Sequence, residues 1–158
     1  PGRSAVESGA YPTGMKDTLA NIRRSEELVI NLVPVELEEK MNQSAATYPA
    51  EVDEFEALGL EKAPSTVVSP PGVAGSKVRF ECSLDRQIQV GDGTGSSTLI
   101  LATVLRVHVT EGIINEEFYT DVRALDPVGR LAGQRYASLG EIREYDRKEI
   151  GRLGAESY

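Results

Sequence analysis

The sequence has little of several residue types on which whole classes of protein depend. It holds one cysteine, Cys82, so an intrachain disulfide is excluded. His108 is the only histidine, which excludes a metal site built from several imidazoles, and we predict no metal site. No apolar run reaches the length of a transmembrane helix, and the amino terminus has no signal-peptide pattern. We therefore expect no membrane association and a cytoplasmic protein.

Positive charge is also scarce. The 158 residues include 17 Lys and Arg against 25 Asp and Glu, which gives a net charge of −8. No basic stripe interrupts this acidic balance, so we expect no nucleic acid partner. Hydrophobic residues make up 40% of the chain and charged residues 27%, which is typical of one globular domain with a core of its own.

Familiar nucleotide and redox motifs are missing as well. The sequence has no GxGxxG, no P-loop and no CxxC. The glycine-rich "GDGTGSS" lies between two predicted strands and precedes no helix, so we interpret it as a hairpin loop. Cys82 lies in the alternating run "KVRFECSL", far in sequence from any histidine. This context favours a small buried hydrophobic residue over a catalytic thiol.

The patterns that are present predict strands with a few helices. Residues 1–14 are small, polar and turn-rich, so we interpret them as a disordered or foreign lead-in to a domain over 15–158. Capping residues and basic residues in the last turn predict a helix over 17–25. The apolar run 28–33 predicts a strand buried on both faces.

After this strand, Pro34 precedes a second predicted helix in "VELEEKMNQSAA". A long stretch rich in Pro, Gly and Ser follows, either a lid or a simple surface excursion. The alternating "KVRFECSLDRQIQV" and the apolar "TLILATVLRVHV" then predict two long paired strands. The second of these is apolar on both faces at first, which favours a barrel or a sheet that pairs with a partner chain.

The start of the first predicted helix is a candidate anion site. Free N–H groups at a helix amino terminus bind phosphate, and Lys16 and Thr18 add an ammonium and a hydroxyl. Local chemistry alone favours a simpler interpretation, in which Thr18 or Asp17 caps the helix and Lys16 faces solvent.

Three other places carry polar side chains with two interpretations each. Asn31 interrupts the first strand, and its buried amide needs a partner from a loop backbone or a ligand. His108 shares a strand face with Arg106, where we favour a solvated histidine over a pH-sensitive group beside a ligand. Arg130 and Tyr136 in "GRLAGQRY" can face an anion and an aromatic ring, or lie in a turn with solvated arginines.

Taken in order, these segments resemble the flavin reductase-like family, the FMN-binding split barrel. The residues that carry the resemblance are "KDTLANI" (16–22), "LVINLV" (28–33), "MNQSAATYPAEVDEFEALGL" (41–60), "VVSPPGVAGSKVRFEC" (67–82), "VLRVHV" (104–109) and "LDPVGRLAGQRY" (125–136). The resemblance implies a mainly β fold with helices, a split β-barrel that forms a homodimer. It also implies non-covalent FMN near the subunit interface and hydride transfer to the flavin from NAD(P)H as co-substrate.

The resemblance also implies roles for individual residues, none of them as a nucleophile. Expected at the cofactor are Lys16, Asp17 and Thr18 beside the flavin phosphate, Asn31 near the flavin or ordering the loop around it, and Arg130 and Tyr136. Expected on the substrate side are Asn42, Ser44, Phe55 and His108. The family's opening strands, which carry "RPIALVST"-like and "SFFN"-like segments, have no match in residues 1–14. An alternative function is therefore a flavin-binding or structural split-barrel module without turnover.

Overall fold

The computed structural model describes residues 17–49, 51–92 and 96–145. Its helices and strands, in chain order, are α1 (Asp17–Ser25), β1 (Glu27–Asn31), a 3-10 helix (Val35–Leu37), α2 (Glu38–Ser44), α3 (Glu54–Ala57), β2 (Lys62–Ala63), β3 (Gly72–Val73), β4 (Val78–Val90), β5 (Ser97–Val109), α4 (Val122–Leu125), β6 (Gly129–Arg130) and β7 (Tyr136–Ala137). The lead-in predicted over 1–14 and the candidate Lys16 lie outside the described residues.

The predicted helix over 17–25 is confirmed as α1. Its last turn carries Arg23 and Arg24, where basic side chains interact favourably with the helix dipole. The chain then reverses at Glu26, whose φ of 57° is left-handed. The Ser25 hydroxyl fixes this reversal because Oγ donates to the Asn21 carbonyl at 3.0 Å and accepts from the Glu27 N–H at 3.2 Å.

An antiparallel sheet with the order β1-β4-β5 forms the body of the chain. The register of β4 with β5 runs from Val78 opposite Val109 to Val90 opposite Ser97, which confirms the predicted hairpin. The pairing shifts at Glu81/Cys82 and at Leu84/Arg86, as expected at β-bulges. Two small antiparallel pairs, β2 with β3 and β6 with β7, complete the described strands.

The expectation that the 28–33 strand is buried on both faces is wrong for this chain. Ile30 is 44% exposed, and no residue of β1 is fully buried. The reason is topological: within the described residues β1 pairs with β4 alone and is an edge strand. An apolar sequence indicates that both faces of a strand can be buried, but other elements must pack against those faces to bury them.

The core lies where β4 begins. Val78, Ile113 and Leu125 are buried together, and Leu32, Phe80 and Ala124 pack against them. Cys82 is fully buried on β4 with a free thiol, and burial raises the pKa of that thiol. The interpretation of Cys82 as a small buried hydrophobic residue is confirmed, because a buried thiol with a raised pKa is a poor nucleophile.

Candidate functional site

One polar row crosses the sheet. Arg79 on β4 lies opposite Asn31 on β1 and opposite His108 on β5. Residues paired across antiparallel strands project to the same face, so these three side chains share one face of the sheet. Two predicted site residues, Asn31 and His108, are thus brought to either side of Arg79, to which the sequence assigned no role.

A loop over residues 64–73, which ends in the short strand β3, is fastened to this face by the Glu81 carboxylate. The N–H groups of Thr66, Val67 and Val68 donate to it at 2.8, 2.6 and 3.1 Å, and the Thr66 hydroxyl donates at 3.1 Å. Glu81 is 1% exposed. A buried carboxylate surrounded by donors in this way is a structural anchor for the loop backbone.

The same donors set the ionisation of Glu81. Burial is the largest single influence and opposes the charge, but hydrogen bonds from His108 and from the Val67 and Thr66 amides together outweigh it. They lower the pKa of Glu81 from 4.5 to about 2. Glu81 is therefore a carboxylate at neutral pH, and it is unsuited to act as a general acid.

His108 completes this cluster from β5. Its Nε2 contacts Glu81 Oε1, and its side chain is only 25% exposed. The favoured interpretation of a solvated histidine is therefore wrong. The period of the strand placed His108 on a polar face, but its contact with the buried Glu81 leaves the His108 side chain only partly exposed.

The amide of Asn31 is bonded within the chain. Its Oδ1 accepts from the Val73 N–H at 2.9 Å, and its Nδ2 donates to the Val29 carbonyl at 3.4 Å. On the same strand Glu27 accepts from the Ser69 N–H at 2.7 Å. Of the two kinds of partner predicted for the Asn31 amide, a loop backbone and a ligand, the structure shows the loop backbone. Asn31, Glu27 and Glu81 together hold the 64–73 loop at several points along its length.

A second group of predicted residues converges at α2 and β7. The Tyr136 hydroxyl and Asn42 Oδ1, 94 positions apart in the chain, form a hydrogen bond of 3.0 Å. The Arg130 guanidinium lies over the Tyr136 ring, 5.7 Å from its centre, and donates to the Gly133 carbonyl at 3.2 Å. An open cleft of about 450 Å³ adjoins them, lined by Val35, Glu38, Glu39, Asn42, Gln134 and Tyr136.

The other predicted residues lie apart from this group. Asp17 and Thr18 are exposed at the start of α1. Ser44 Oγ donates to the Met41 carbonyl at 2.8 Å, inside its own helix. The Phe55 ring lies 5.3 Å from the Lys62 ammonium. Within the described residues, no hydrogen bond or ring contact joins Ser44 or Phe55 to Tyr136.

The sequence interpretation missed Glu81 and Arg79. Both fall on the polar side of the alternating strand β4, a position typical of solvated charge. One signal was available: a glutamate and the only histidine of the chain lie on neighbouring strands. That signal becomes useful only once the pairing register is known.

The family of this chain follows from comparison with known proteins. The model of the flavin reductase-like domain matches residues 12–126. The chain belongs to the flavin reductase-like family. An uncharacterised protein of Halalkalibacterium halodurans is 34% identical over 148 residues, which cover 92% of this chain and 70% of that protein.

Solved structures agree with the assignment to the flavin reductase-like family. Nitrilotriacetate monooxygenase component B from Bacillus cereus is 34% identical with a TM-score of 0.75, over 83% of this chain and 65% of that one. A Shewanella frigidimarina protein with a split barrel domain is 21% identical with a TM-score of 0.74, over the same shares. The fold is therefore the mainly β split-barrel fold with few helices that the resemblance implies. The chain spans about two thirds of the length of the proteins it matches.

Two further features of the described residues bear on the expected partners. No helix among them is both long and apolar enough to span a membrane. No group of three or more His, Cys, Asp or Glu side chains among them is arranged to hold a metal ion.

Proposed function

We propose that this chain is the cofactor-binding part of an FMN-dependent oxidoreductase that takes hydride from NAD(P)H. The observation that carries the proposal is the convergence of Asn42, Tyr136 and Arg130 beside an open cleft, in a chain of the flavin reductase-like family. Stacked planar groups and an amide are the kinds of side chain that hold a flat heteroaromatic ring and bond its edge. When bound, FMN supplies the redox chemistry, and the protein orients it and excludes water.

The phosphate of FMN would lie at the start of α1. Thr18 is exposed there, and α1 spans nine residues, so its first N–H groups and its dipole favour an anion. We propose that Lys16, Asp17 and Thr18 form this subsite, with the Lys16 ammonium and the Thr18 hydroxyl as donors. Asn31 would act indirectly, by ordering the 64–73 loop through Val73.

The nicotinamide would approach from the side of α2 and α3. We propose Asn42, Ser44, Phe55 and His108 as the substrate side, with no side chain as a nucleophile. The similarity to a monooxygenase component supports a role in supplying reduced flavin. We also propose a cytoplasmic homodimer, and the long row of exposed apolar side chains on β5 supports a covering partner.

The test is NADH and NADPH oxidation by the purified chain with added FMN, together with flavin fluorescence to measure binding. We expect FMN to bind and at least one nicotinamide to be oxidised. Binding without oxidation would contradict the hydride-transfer step and support a module that binds flavin without turnover. The absence of FMN binding would overturn both.

The phosphate subsite has its own test. Replacing Lys16 and Thr18 with alanine removes two bonds to a dianion, so FMN affinity should fall at least about tenfold. Riboflavin, which lacks the phosphate, is the matched control and should bind almost unchanged. Equal weakening of both ligands would show that these residues only cap α1.

A further inference from the structure

A second cleft, of about 440 Å³, opens where β4 begins and β5 ends. It is lined by Lys77, Arg79, Val107, His108, Val109 and Thr110. It shares no lining residue with the cleft beside Tyr136. Three of its six lining side chains carry positive charge or can acquire it, in a chain whose net charge is −8.

Two of these side chains are held in place by the protein. The Lys77 ammonium donates to the Ala124 carbonyl at 2.9 Å and pairs with the exposed Glu36 at 3.3 Å. His108 is held through Nε2 by Glu81, which leaves Nδ1 as the other polar atom of its ring. Side chains already held in place bind an anion with a smaller loss of conformational entropy, and His108 Nδ1 can donate to that anion when the ring carries a proton on both nitrogens.

Arg79 supplies a positive charge that forms no close ion pair in the part of the chain that the structure describes. Among the ion pairs formed by residues 17–49, 51–92 and 96–145, none includes Arg79. Its aliphatic stem passes close over Gly72, where an added Cβ would lie 2.5 Å from Arg79 Cδ. The Arg79 stem therefore packs closely against Gly72, and Arg79 is among the residues that line the cleft.

We propose that this cleft binds an oxyanion, the phosphate or carboxylate group of a small molecule, between Arg79, Lys77 and His108. A guanidinium matches either group with two parallel hydrogen bonds. The Thr110 hydroxyl can add a further donor, and Val107 and Val109 offer an apolar wall for the carbon part of the molecule. The proposal does not depend on flavin binding.

His108 makes the test direct because it is the only histidine of the chain. Its imidazole proton signals in an NMR spectrum therefore need no further assignment. The flavin-free full chain is titrated with inorganic phosphate at constant ionic strength and pH, and a parallel sample is titrated with acetate. We expect a saturable shift with a dissociation constant on the order of 1 mM for one of them. The anion that saturates at lower concentration identifies the group preferred, and shifts that do not saturate with either would overturn the proposal.

Two variants locate the binding. Arg79→Gln should weaken binding at least about tenfold, because the bidentate charged donor is lost. Arg86→Gln is the matched control, since Arg86 lies on the same strand, is exposed and pairs with Asp85. Equal affinities in the two variants would overturn the proposal. If Arg79→Gln does not fold by circular dichroism, Arg79→Lys takes its place, and unchanged affinity in that variant would likewise overturn it.

Discussion

The two long strands β4 and β5 have the same length, 13 residues each, and pair with one another, yet residues 78–82 of β4 are much more buried than any part of β5. In β4, Val78, Glu81 and Cys82 are buried. In β5 no residue is buried, and six large apolar side chains are at least 37% exposed: Leu99, Leu101, Val104, Leu105, Val107 and Val109. A hydrophobic strand sequence therefore indicates that other residues should pack over the strand. Whether the strand is buried depends on whether another part of the structure supplies those residues.

The more buried strand, β4, also carries a buried charged group, the Glu81 carboxylate. β4 is central and is covered by the 64–73 loop, so a carboxylate can be internal there if donors surround it. Among the described strands β5 is the second edge strand of the sheet, opposite β1, and its apolar side chains and unpaired backbone groups are open to a partner. A long exposed apolar edge invites association, which is why β5 supports the proposed homodimer.

The largest effect is expected when Glu81, the anchor of the 64–73 loop on β4, is replaced. In Glu81→Gln the side-chain NH2 replaces a carboxylate oxygen that accepts from backbone N–H groups, so a donor faces donors. We expect the melting temperature to fall further than for any other substitution named here, and the amides of Thr66, Val67 and Val68 to exchange faster with deuterium. Glu36→Gln is the matched control because Glu36 is exposed, and it should leave both measurements unchanged. Unchanged exchange at Thr66 to Val68 in Glu81→Gln would contradict the anchor.

Acid should reproduce this loss in the unaltered chain. The folded pKa of Glu81, about 2, lies below its ordinary value of 4.5, so ionised Glu81 favours the folded state. Its stabilisation is fully present above pH 4.5 and is lost as the pH falls toward 2. Urea unfolding across this range should show a smaller acid-induced loss in Glu81→Gln than in the unaltered chain. Identical pH dependence in the two proteins would show that Glu81 has an ordinary pKa when folded.

The sequence predicted what local signals determine. Capping and basic residues mark α1, period two and a glycine-rich loop mark the β4–β5 hairpin, and Cys82 follows from its alternating run. Glu81 could not be predicted because its cover is a loop that begins 17 positions earlier and folds back over the sheet. Nothing in the sequence of a strand records that kind of long-range contact.

The candidate site likewise contains residues that the sequence predicted and contacts that it could not predict. Asn42 and Tyr136 were expected through the resemblance, but their bond across 94 positions is a tertiary fact. Arg79 was missed because charge on a polar strand face is usually solvated. Its cleft forms only where the ends of β4 and β5 meet.

The next prediction compares the two strands with the same change. Val78→Ala on β4 removes buried methyl groups and should lower the free energy of unfolding by about 2 kcal/mol at any protein concentration. Val107→Ala on β5 should cost less than about 0.5 kcal/mol in dilute protein, because Val107 is 50% exposed. Its cost should rise with concentration if a second copy covers β5. Urea unfolding at two concentrations, with sedimentation to follow self-association, measures both, and equal costs in dilute monomer would contradict the exposed position of β5.

The last prediction concerns the contact between Gly72 and Arg79 on the polar face of β4. In Gly72→Ala the new Cβ would meet Arg79 Cδ at 2.5 Å, so the loop or the arginine stem must shift, at an expected cost of about 1–2 kcal/mol. Gly140→Ala is the matched control because no atom lies within 4 Å of its added Cβ, and it should be neutral or slightly stabilising. The two free energies of unfolding, measured in urea, decide how closely the loop packs on β4. Equal values would mean that Arg79 moves aside freely and that its stem does not pack closely on Gly72.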